Sequence, residues 1–238
     1  MSYPNLFDIF RTGKRLLTMA ASSKKGRRII ANPINSLTVV EVGRLLFFKR
    51  LLDLTGDIEG DVVECGVGWG RSFMYLTLLS WEEQKSRHIW GFDSFEGFPE
   101  PKPEDSGSRN PQQGEYKTDM EAVYALLEGS KFDAAFLRSK ITLVKGFFSE
   151  SLPKYSGPGI ALLHIDADLY QSYLDVLNAL YDKVRPGGII AFDEYMDGRT
   201  NIAFPGAKRA IDEFFSNKAV EIQRDKHYGK FFVVKPRS

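Results

Sequence analysis

The stretch VVECGVGWGRS, residues 62–72, decides how the rest of the sequence is interpreted. Its first residues are apolar and include two β-branched valines, which predicts a buried strand. The glycines that follow predict a tight turn into a helix over 71–84, with the helix N-terminus facing a ligand. Because position 71 is arginine, the spacing of Gly66, Gly68 and Gly70 departs from the GxGxxG pattern of NAD-binding enzymes.

Outward from this stretch, short apolar runs alternate with helical patterns. Further strands are predicted at 88–93, 141–146, 160–166, 189–193, 219–224 and 230–235, and further helices at 117–138, 170–184 and 206–217. This alternation predicts an open, mostly parallel, doubly wound α/β sheet. Residues 97–116 are rich in Gly, Pro and Ser, so we expect a lid loop over about 97–120.

Composition excludes several classes of protein. A hydrophobic fraction of 43% excludes a wholly disordered chain, and no apolar run reaches the roughly 18 residues that span a bilayer. One cysteine, Cys65, excludes an internal disulfide and a cysteine-rich zinc site. No signal peptide opens the sequence, so we expect a cytoplasmic protein without a membrane span.

Charge is distributed unevenly along the chain. Residues 1–50 hold ten basic and two acidic side chains, a balance of +8, although the whole chain carries only +1. The first 55 residues have helical patterns and lie outside the strand–helix alternation. We therefore expect a helical N-terminal cap over 1–55 and a sheet domain over 56–238. A basic cap suits a phosphate-bearing acceptor or a second subunit of a homo-oligomer.

Acidic residues recur where the predicted strands end. Glu64, Asp93, Asp166 and Asp193 each lie at the end of a strand, and Asp168 and Glu194 follow closely. In open α/β sheets, ligands bind outside the carboxyl ends of the strands. The glycine spacing fits the GxGxG loop of S-adenosylmethionine (SAM) enzymes, and an acid after the next strand can bind both hydroxyls of a ribose.

Five segments carry a family resemblance: VVECGVGWGRS (62–72), GFDSFEGFPEP (91–101), KGFFSESLP (145–153), HIDADLYQSYLDVLNALYDKVRPGGIIAFDEY (164–195) and AIDEF (210–214). In this order they resemble the macrocin- and mycinamicin-type (TylF-like) sugar O-methyltransferases over roughly 60–236. The resemblance implies a class I SAM-dependent methyltransferase, Rossmann-like, with a seven-stranded sheet whose last strand is antiparallel. It also implies a divalent cation, normally Mg²⁺.

Site residues follow by position from the resemblance. It implies cofactor contacts from the glycine turn and the next two strand ends: Glu64, Gly66, Gly68, Arg71, Ser72, Asp93, Ser94, Gly146 and Phe147. It implies metal ligands at Asp166, Asp193 and Glu194. The family often has a second aspartate where this chain has Glu194, one methylene longer.

The chemistry of such a site needs carboxylates. Mg²⁺ prefers oxygen ligands and lowers the pKa of a coordinated hydroxyl. Asp166 and Asp168 are the candidate catalytic residues, with Asp168 as the general base. Asp168 is equally suited to cap the following helix or to share the ligand role of Asp166. Within its apolar strand, His164 is expected to be a core histidine, while Trp69 suits cofactor contact and core packing equally.

The sequence therefore predicts a SAM- and Mg²⁺-dependent O-methyltransferase acting on a sugar or another polyhydroxylated small molecule. A nucleic-acid methyltransferase is the alternative that the basic N-terminus raises. Two observations argue against nucleic acid. Base-modifying enzymes commonly have an Asn/Asp-Pro-Pro-aromatic motif where this chain has Asp166-Ala167-Asp168-Leu169, and the acids there would repel phosphates. A non-catalytic module of the same fold is a further alternative, and a NAD-dependent dehydrogenase is disfavoured by Arg71.

Overall fold

The computed structural model describes residues 38–195 and 203–237. The chain divides into two units, Met1–Thr38 and Val39–Ser238, and the second is described below. Most of the predicted cap, residues 1–37, lies outside the described residues. Its remainder, 39–54, is helix α1 (Val39–Leu54), which packs its buried side chains into the core of the sheet domain. The division into a cap over 1–55 and a sheet domain over 56–238 remains a prediction.

One seven-stranded sheet forms the centre of the described unit. Its strands are β1 (Asp61–Cys65), β2 (Ile89–Asp93), β3 (Ile141–Lys145), β4 (Ile160–Ile165), β5 (Val184–Phe192), β6 (Ile222–Arg224) and β7 (Phe231–Val234). The spatial order is β3-β2-β1-β4-β5-β7-β6. The first five strands pair in parallel, and β7 pairs antiparallel with β5 and β6. This confirms the predicted class I methyltransferase fold, including the antiparallel final strand.

Helices cover both faces of the sheet. After α1 they are α2 (Arg71–Glu82), α3 (Met120–Gly129), α4 (Ala134–Lys140), α5 (Phe148–Ser151), α6 (Tyr170–Leu180) and α7 (Pro205–Phe215). Short 3₁₀ turns lie at Pro103–Asp105, Leu152–Lys154 and Tyr181–Lys183. No helix in these ranges is long and apolar enough to cross a membrane.

The core is split by the sheet into two layers. On β4, Leu162 faces the layer of α1 and α2, whereas Leu163 and Ile165 face the layer of α6 and α7. All six residues of β4 are therefore buried. Burial on both faces explains why this strand is almost continuously apolar, without the alternation of a half-exposed strand.

The single helix predicted over 117–138 is wrong, because two helices occupy this span. The Asp119 carboxylate accepts from Glu121 N at 3.1 Å and caps α3, and Asp133 accepts from Phe136 N at 2.9 Å and caps α4. Lys131, between them, has a φ of +62°. A second N-cap and a left-handed residue together end one helix and begin another.

Candidate active site

The glycine turn after β1 needs its glycines. Gly66, Gly68 and Gly70 have φ values of +94°, +53° and +80°. A side chain at position 66 would also collide with the backbone, because a Cβ there would lie 1.8 Å from Asp166 O. The turn thus contacts the end of β4, and a cofactor bound at the turn lies beside the acids that follow β4.

Asp93, at the end of β2, holds the glycine turn in place. Its Oδ2 accepts from Gly68 N at 2.8 Å, and its Oδ1 accepts from Phe95 N at 2.7 Å. Burial raises the pKa of Asp93 in spite of these hydrogen bonds. Each carboxylate oxygen keeps a further lone pair, so the predicted contact to ribose hydroxyls remains open to it. Ser94 Oγ donates to Gly97 O at 2.8 Å in the separate turn that follows β2.

A buried acid–imidazole pair lies beneath the turn. His164 Nδ1 lies 2.8 Å from Glu64 Oε1, and both side chains are fully enclosed. Burial raises the pKa of Glu64, and hydrogen bonds from the His164 and Ser72 side chains oppose this rise. The Phe48 ring meets the His164 ring edge-on at 4.8 Å between centroids. His164 is therefore the satisfied core histidine that the sequence predicts.

Other predicted cofactor residues lie around the turn. Ser72 is buried in the first turn of α2, whereas Arg71 is exposed and pairs with Glu41 of α1. At the end of β3, Gly146 has a φ of +139° and Phe147 immediately precedes α5. All of them lie near the carboxyl ends of β1 and β3. Trp69 is 70% exposed, so it is free of the core and open to a ligand.

Three carboxylates meet where β4 and β5 end. Asp166, Asp168 and Glu194 each present an oxygen, and the three oxygens lie within 4.8 Å of one another. We call this set the acid cluster. Burial is the main cause that raises the pKa values of all three, and the neighbouring Asp193 carboxylate adds to it in each case. Repulsion within the cluster adds further at Asp168 and Glu194, whereas a hydrogen bond with Glu194 opposes the rise at Asp166. A divalent cation is the kind of ligand that relieves such repulsion.

Asp193, the third predicted metal ligand, contacts cations of the protein. Its Oδ1 lies 3.0 Å from Lys230 Nζ and 3.4 Å from Arg44 Nη2. Burial acts to raise the pKa of Asp193, but Lys230 and Arg44 outweigh it and bring the pKa well below its usual range. The structure therefore places Asp193 beside the acid cluster without including its oxygens in it.

The hydroxyl of Tyr173, on the buried face of α6, contacts Glu194. Tyr173 of α6 is fully buried, and its hydroxyl bonds to Glu194 Oε2 and lies 2.9 Å from Ile165 O. Burial, with Glu194 beside it, raises the pKa of Tyr173, so this hydroxyl stays protonated and can donate. The extra methylene of Glu194 is thus accommodated by a defined hydrogen bond.

Sequence reasoning missed the cations and the tyrosine. Arg44 lies on α1 and Lys230 precedes β7, far from the motifs in sequence. Tyr173 lies within the segment 164–195 that resembles the family, but an aromatic residue on an amphipathic helix is expected to be an ordinary core residue. Only Arg44 and Lys230 could have been suspected from the sequence, because a site with many carboxylates is expected to attract basic side chains.

Comparison with known proteins adds independent information. The family model described as macrocin O-methyltransferase (TylF) matches residues 7–226. The mycinamicin III 3''-O-methyltransferase of Micromonospora griseorubida is 26% identical over 225 residues, covering 90% of this chain and 86% of that protein. A Streptomyces olivaceus enzyme, 8-demethyl-8-(2,3-dimethoxy-alpha-L-rhamnosyl)-tetracenomycin-C 4'-O-methyltransferase, is 30% identical over 148 residues, covering 60% of this chain and 55% of that one.

Among solved structures, the calicheamicin methyltransferase CalS11 superposes with a TM-score of 0.74 at 23% identity, covering 98% of this chain and 94% of that one. This likeness supports the fold. The family match spans most of the sequence and includes the glycine turn and every member of the acid cluster. The chain belongs to the macrocin O-methyltransferase (TylF) family and is a SAM-dependent O-methyltransferase.

Proposed function

We propose that this enzyme methylates a hydroxyl of a sugar or another polyhydroxylated small molecule, with Mg²⁺ bound at the acid cluster. Natural-product glycosides and polysaccharide precursors are the acceptor classes we expect. The observation that carries the proposal is the contact between Gly66 and the Asp166 backbone, which sets the cofactor turn directly beside three converging carboxylates. One relative is named for methylating a rhamnosyl compound, which supports a sugar acceptor.

The donor set fits a hard divalent cation. All three members of the acid cluster offer carboxylate oxygens, and Mg²⁺ is usually held by one or two carboxylates together with water or substrate oxygens. We propose Asp166 and Glu194 as ligands. Asp193 remains a predicted ligand, although its carboxylate contacts Arg44 and Lys230. When bound, Mg²⁺ supplies a Lewis acid that makes a hydroxyl more acidic.

Asp168 is the proposed general base. Burial is the main cause that raises its pKa, and Asp166 and Asp193 add to it, while Arg109 of the predicted lid acts against them. A carboxylate with a raised pKa accepts a proton more readily than an ordinary aspartate. The Asp168 carboxylate takes the proton from the acceptor hydroxyl, and SAM supplies the methyl group in an in-line transfer that depends on precise positioning.

The cofactor is proposed to bind along the glycine turn. Backbone N–H groups at the start of α2, with the Glu64 and Asp93 carboxylates, line the carboxyl ends of β1 and β2. Glu64 Oε2 has no well-formed hydrogen bond among the described residues, and because the side chain is fully enclosed, Glu64 is proposed to act by supporting the turn from beneath. Asp93 orders the turn at Gly68 whether or not it also contacts a ribose.

The test combines binding with turnover. Calorimetric titration with SAM should show binding, and methyl transfer to a panel of sugar nucleotides and glycosides should be abolished by EDTA and restored by Mg²⁺. Asp168→Asn should lose turnover while retaining SAM affinity, with Glu100→Gln on the exposed surface as the matched control. Absence of SAM binding would overturn the proposal, and turnover insensitive to EDTA would remove its metal component.

Two further predictions belong with this function. We propose that the enzyme works in the cytoplasm and forms a homo-oligomer through its N-terminal helices. The support for the oligomer is the sequence alone: the +8 balance of residues 1–50 and the helical patterns of the first 55. Light scattering of the full chain, compared with a chain lacking residues 1–37, tests the oligomer. Cell fractionation tests the location.

A further inference from the structure

Helix α6, which follows the acid cluster, is capped by a residue distant in sequence. It begins at Tyr170, and the preceding Leu169 has no side chain that can accept a hydrogen bond. Instead, Oδ1 of Asp105, 65 positions earlier, accepts from Tyr170 N at 2.7 Å. Asp105 lies in the segment 97–120 that is predicted to be a lid. The first backbone N–H group of α6 therefore finds its acceptor in the lid segment and not in the residue that precedes the helix.

Asp105 is enclosed on all sides. It is 1% exposed, and its second oxygen, Oδ2, accepts from Lys102 N at 2.8 Å. A Cβ at Gly206, in the first turn of α7, would lie 2.0 Å from Asp105 Oδ1 and 2.9 Å from Tyr170 Cβ. The lid segment, α6 and α7 thus meet at the Asp105 carboxylate. Any side chain at position 206 would overlap this carboxylate, so the close approach of α7 requires glycine there.

The backbone just before α6 is in an unusual conformation. Asp168 has a φ of +58°, and Leu169 N donates to Ala167 O at 2.6 Å, closing a three-residue turn centred on Asp168. Such turns are rare and strained, and they persist only where surrounding contacts hold them. Asp168 is a member of the acid cluster. The residue directly after this turn, Tyr170, is held by the hydrogen bond from its N–H to Asp105.

We propose that Asp105 is a positioning residue for Asp168. By accepting from Tyr170 N, it holds the left-handed turn that aims Asp168 into the acid cluster, so the lid segment and the cluster act as one mechanical unit. This inference rests on the proposed function for the role of Asp168. The local coupling between Asp105 and the turn does not depend on that role and can be measured separately.

The experiment uses the full chain with two variants and a control. Asp105→Leu keeps the size of the side chain but removes both acceptors, whereas an asparagine could keep its oxygen on Tyr170 N. Gly206→Ala displaces Asp105 by steric overlap without changing its charge. Glu100→Gln, on an exposed side chain of the same segment, is the matched control. Thermal melts first confirm that each variant is folded at the measuring temperature.

Hydrogen exchange and Mn²⁺ binding are then measured. Amide exchange over residues 166–172 should accelerate about tenfold in both variants, the equivalent of losing a typical helix cap. Mn²⁺ affinity, followed by electron paramagnetic resonance, should weaken about tenfold, because a displaced Asp168 removes one negative charge from beside the proposed ligands Asp166 and Glu194. Affinity for S-adenosylhomocysteine should stay at the wild-type value, because the glycine turn is untouched.

The outcomes separate a positioning role from a structural one. Unchanged exchange over 166–172 in Asp105→Leu would overturn the inference. So would a loss of S-adenosylhomocysteine affinity equal to the loss of Mn²⁺ affinity, since a generally loosened fold lowers both. If the wild-type protein fails to bind Mn²⁺, the metal component of the proposed function fails. Hydrogen exchange, together with the ratio of kcat to KM for the acceptor, then decides the role of Asp105.

Discussion

Gly66 and Asp166 are in direct backbone contact where β1 and β4 end side by side. A Cβ on Gly66 would lie 1.8 Å from the carbonyl oxygen of Asp166 and 2.7 Å from its carbonyl carbon. The same two strand ends are joined by a hydrogen bond from Asp166 N to Cys65 O at 2.9 Å. The glycine turn, which is the proposed cofactor site, and the first acid of the cluster are therefore joined directly through the backbone.

Gly66→Ala should disrupt both halves of the site. The new methyl group overlaps the Asp166 carbonyl, and the φ of +94° at this position is strained for any residue with a side chain. We expect S-adenosylhomocysteine binding to be lost in calorimetry and the free energy of unfolding to fall by about 2 kcal/mol or more. Gly129→Ala, where a Cβ meets nothing within 4 Å, is the control and should behave like wild type.

His164→Ala should destabilise the core strongly. It removes the partner of Glu64 Oε1 and leaves that carboxylate buried without its hydrogen bond, and it opens a cavity against Phe48. We expect a loss of about 2–4 kcal/mol in urea unfolding, the sum of a lost buried hydrogen bond and a cavity. His227→Ala, on an exposed side chain, should change stability by less than about 0.5 kcal/mol. A His164→Ala loss as small as the control would contradict the pairing.

Asp193→Asn and Asp166→Asn should differ in their effect on metal binding. Asp193 is the anion between Arg44 and Lys230, so its neutralisation leaves two cations facing each other and lowers stability. Asp166 belongs to the acid cluster, so Asp166→Asn should cause the larger loss of Mn²⁺ affinity in electron paramagnetic resonance titrations. Equal losses of affinity in the two variants would instead support the ligand role that the sequence predicts for Asp193.

Arg109 should order the predicted lid. Its guanidinium carbon lies 4.6 Å from the centre of the Tyr116 ring, 4.9 Å from that of Phe204 and 5.7 Å from that of Phe98. Arg109→Ala should therefore speed cleavage by proteinase K within 97–120, and S-adenosylhomocysteine should slow cleavage in the wild-type protein. Lys117→Ala, on an exposed side chain of the same segment, is the control. A cleavage rate equal to that of the control would argue against an ordering role.

The pair between Arg50 and Asp225 should make stability depend on pH. Two hydrogen bonds, Nε to Oδ2 at 2.9 Å and Nη2 to Oδ1 at 2.7 Å, join α1 to the turn between β6 and β7. Burial acts to raise the pKa of Asp225, but Arg50 and the backbone N–H groups of Tyr228 and His227 outweigh it and lower the pKa.

A carboxylate whose folded-state pKa is lowered stabilises the protein above the unfolded-state pKa, about 4 for aspartate, and this stability is lost as the pH falls through the folded-state value. At pH 7, Asp225→Asn should therefore reduce the free energy of unfolding by about 1–2 kcal/mol, since the pair is partly exposed. The difference from wild type should shrink as the pH falls from 5 toward 3. A difference independent of pH would exclude the charge of Asp225 as its cause.

Several features of the fold follow from local sequence patterns. The strands are visible because burial on both faces of a parallel sheet favours nearly continuous apolar runs. Val62 to Cys65 and Ile160 to Ile165 are such runs, interrupted only by Glu64 and His164, which pair with each other. The prediction of one helix over 117–138 was wrong because apolar periodicity outweighed the cap at Asp133. The packing of α1 into the sheet core is not visible in the sequence, because a helical pattern does not show which surface the helix contacts.

By itself, the sequence determined the fold class, the glycine turn and the set of acids that reach one edge of the sheet. Those properties depend on neighbours in sequence, through strand and helix periodicity and the backbone freedom of glycine. Only the tertiary structure decided which acids converge, with Asp168 joining Asp166 and Glu194 while Asp193 contacts Arg44 and Lys230. The partner of a charged or polar side chain is whichever group the fold brings within hydrogen-bond distance. Asp105 and Tyr170 N are 65 positions apart, so no pattern of neighbouring residues predicts their contact.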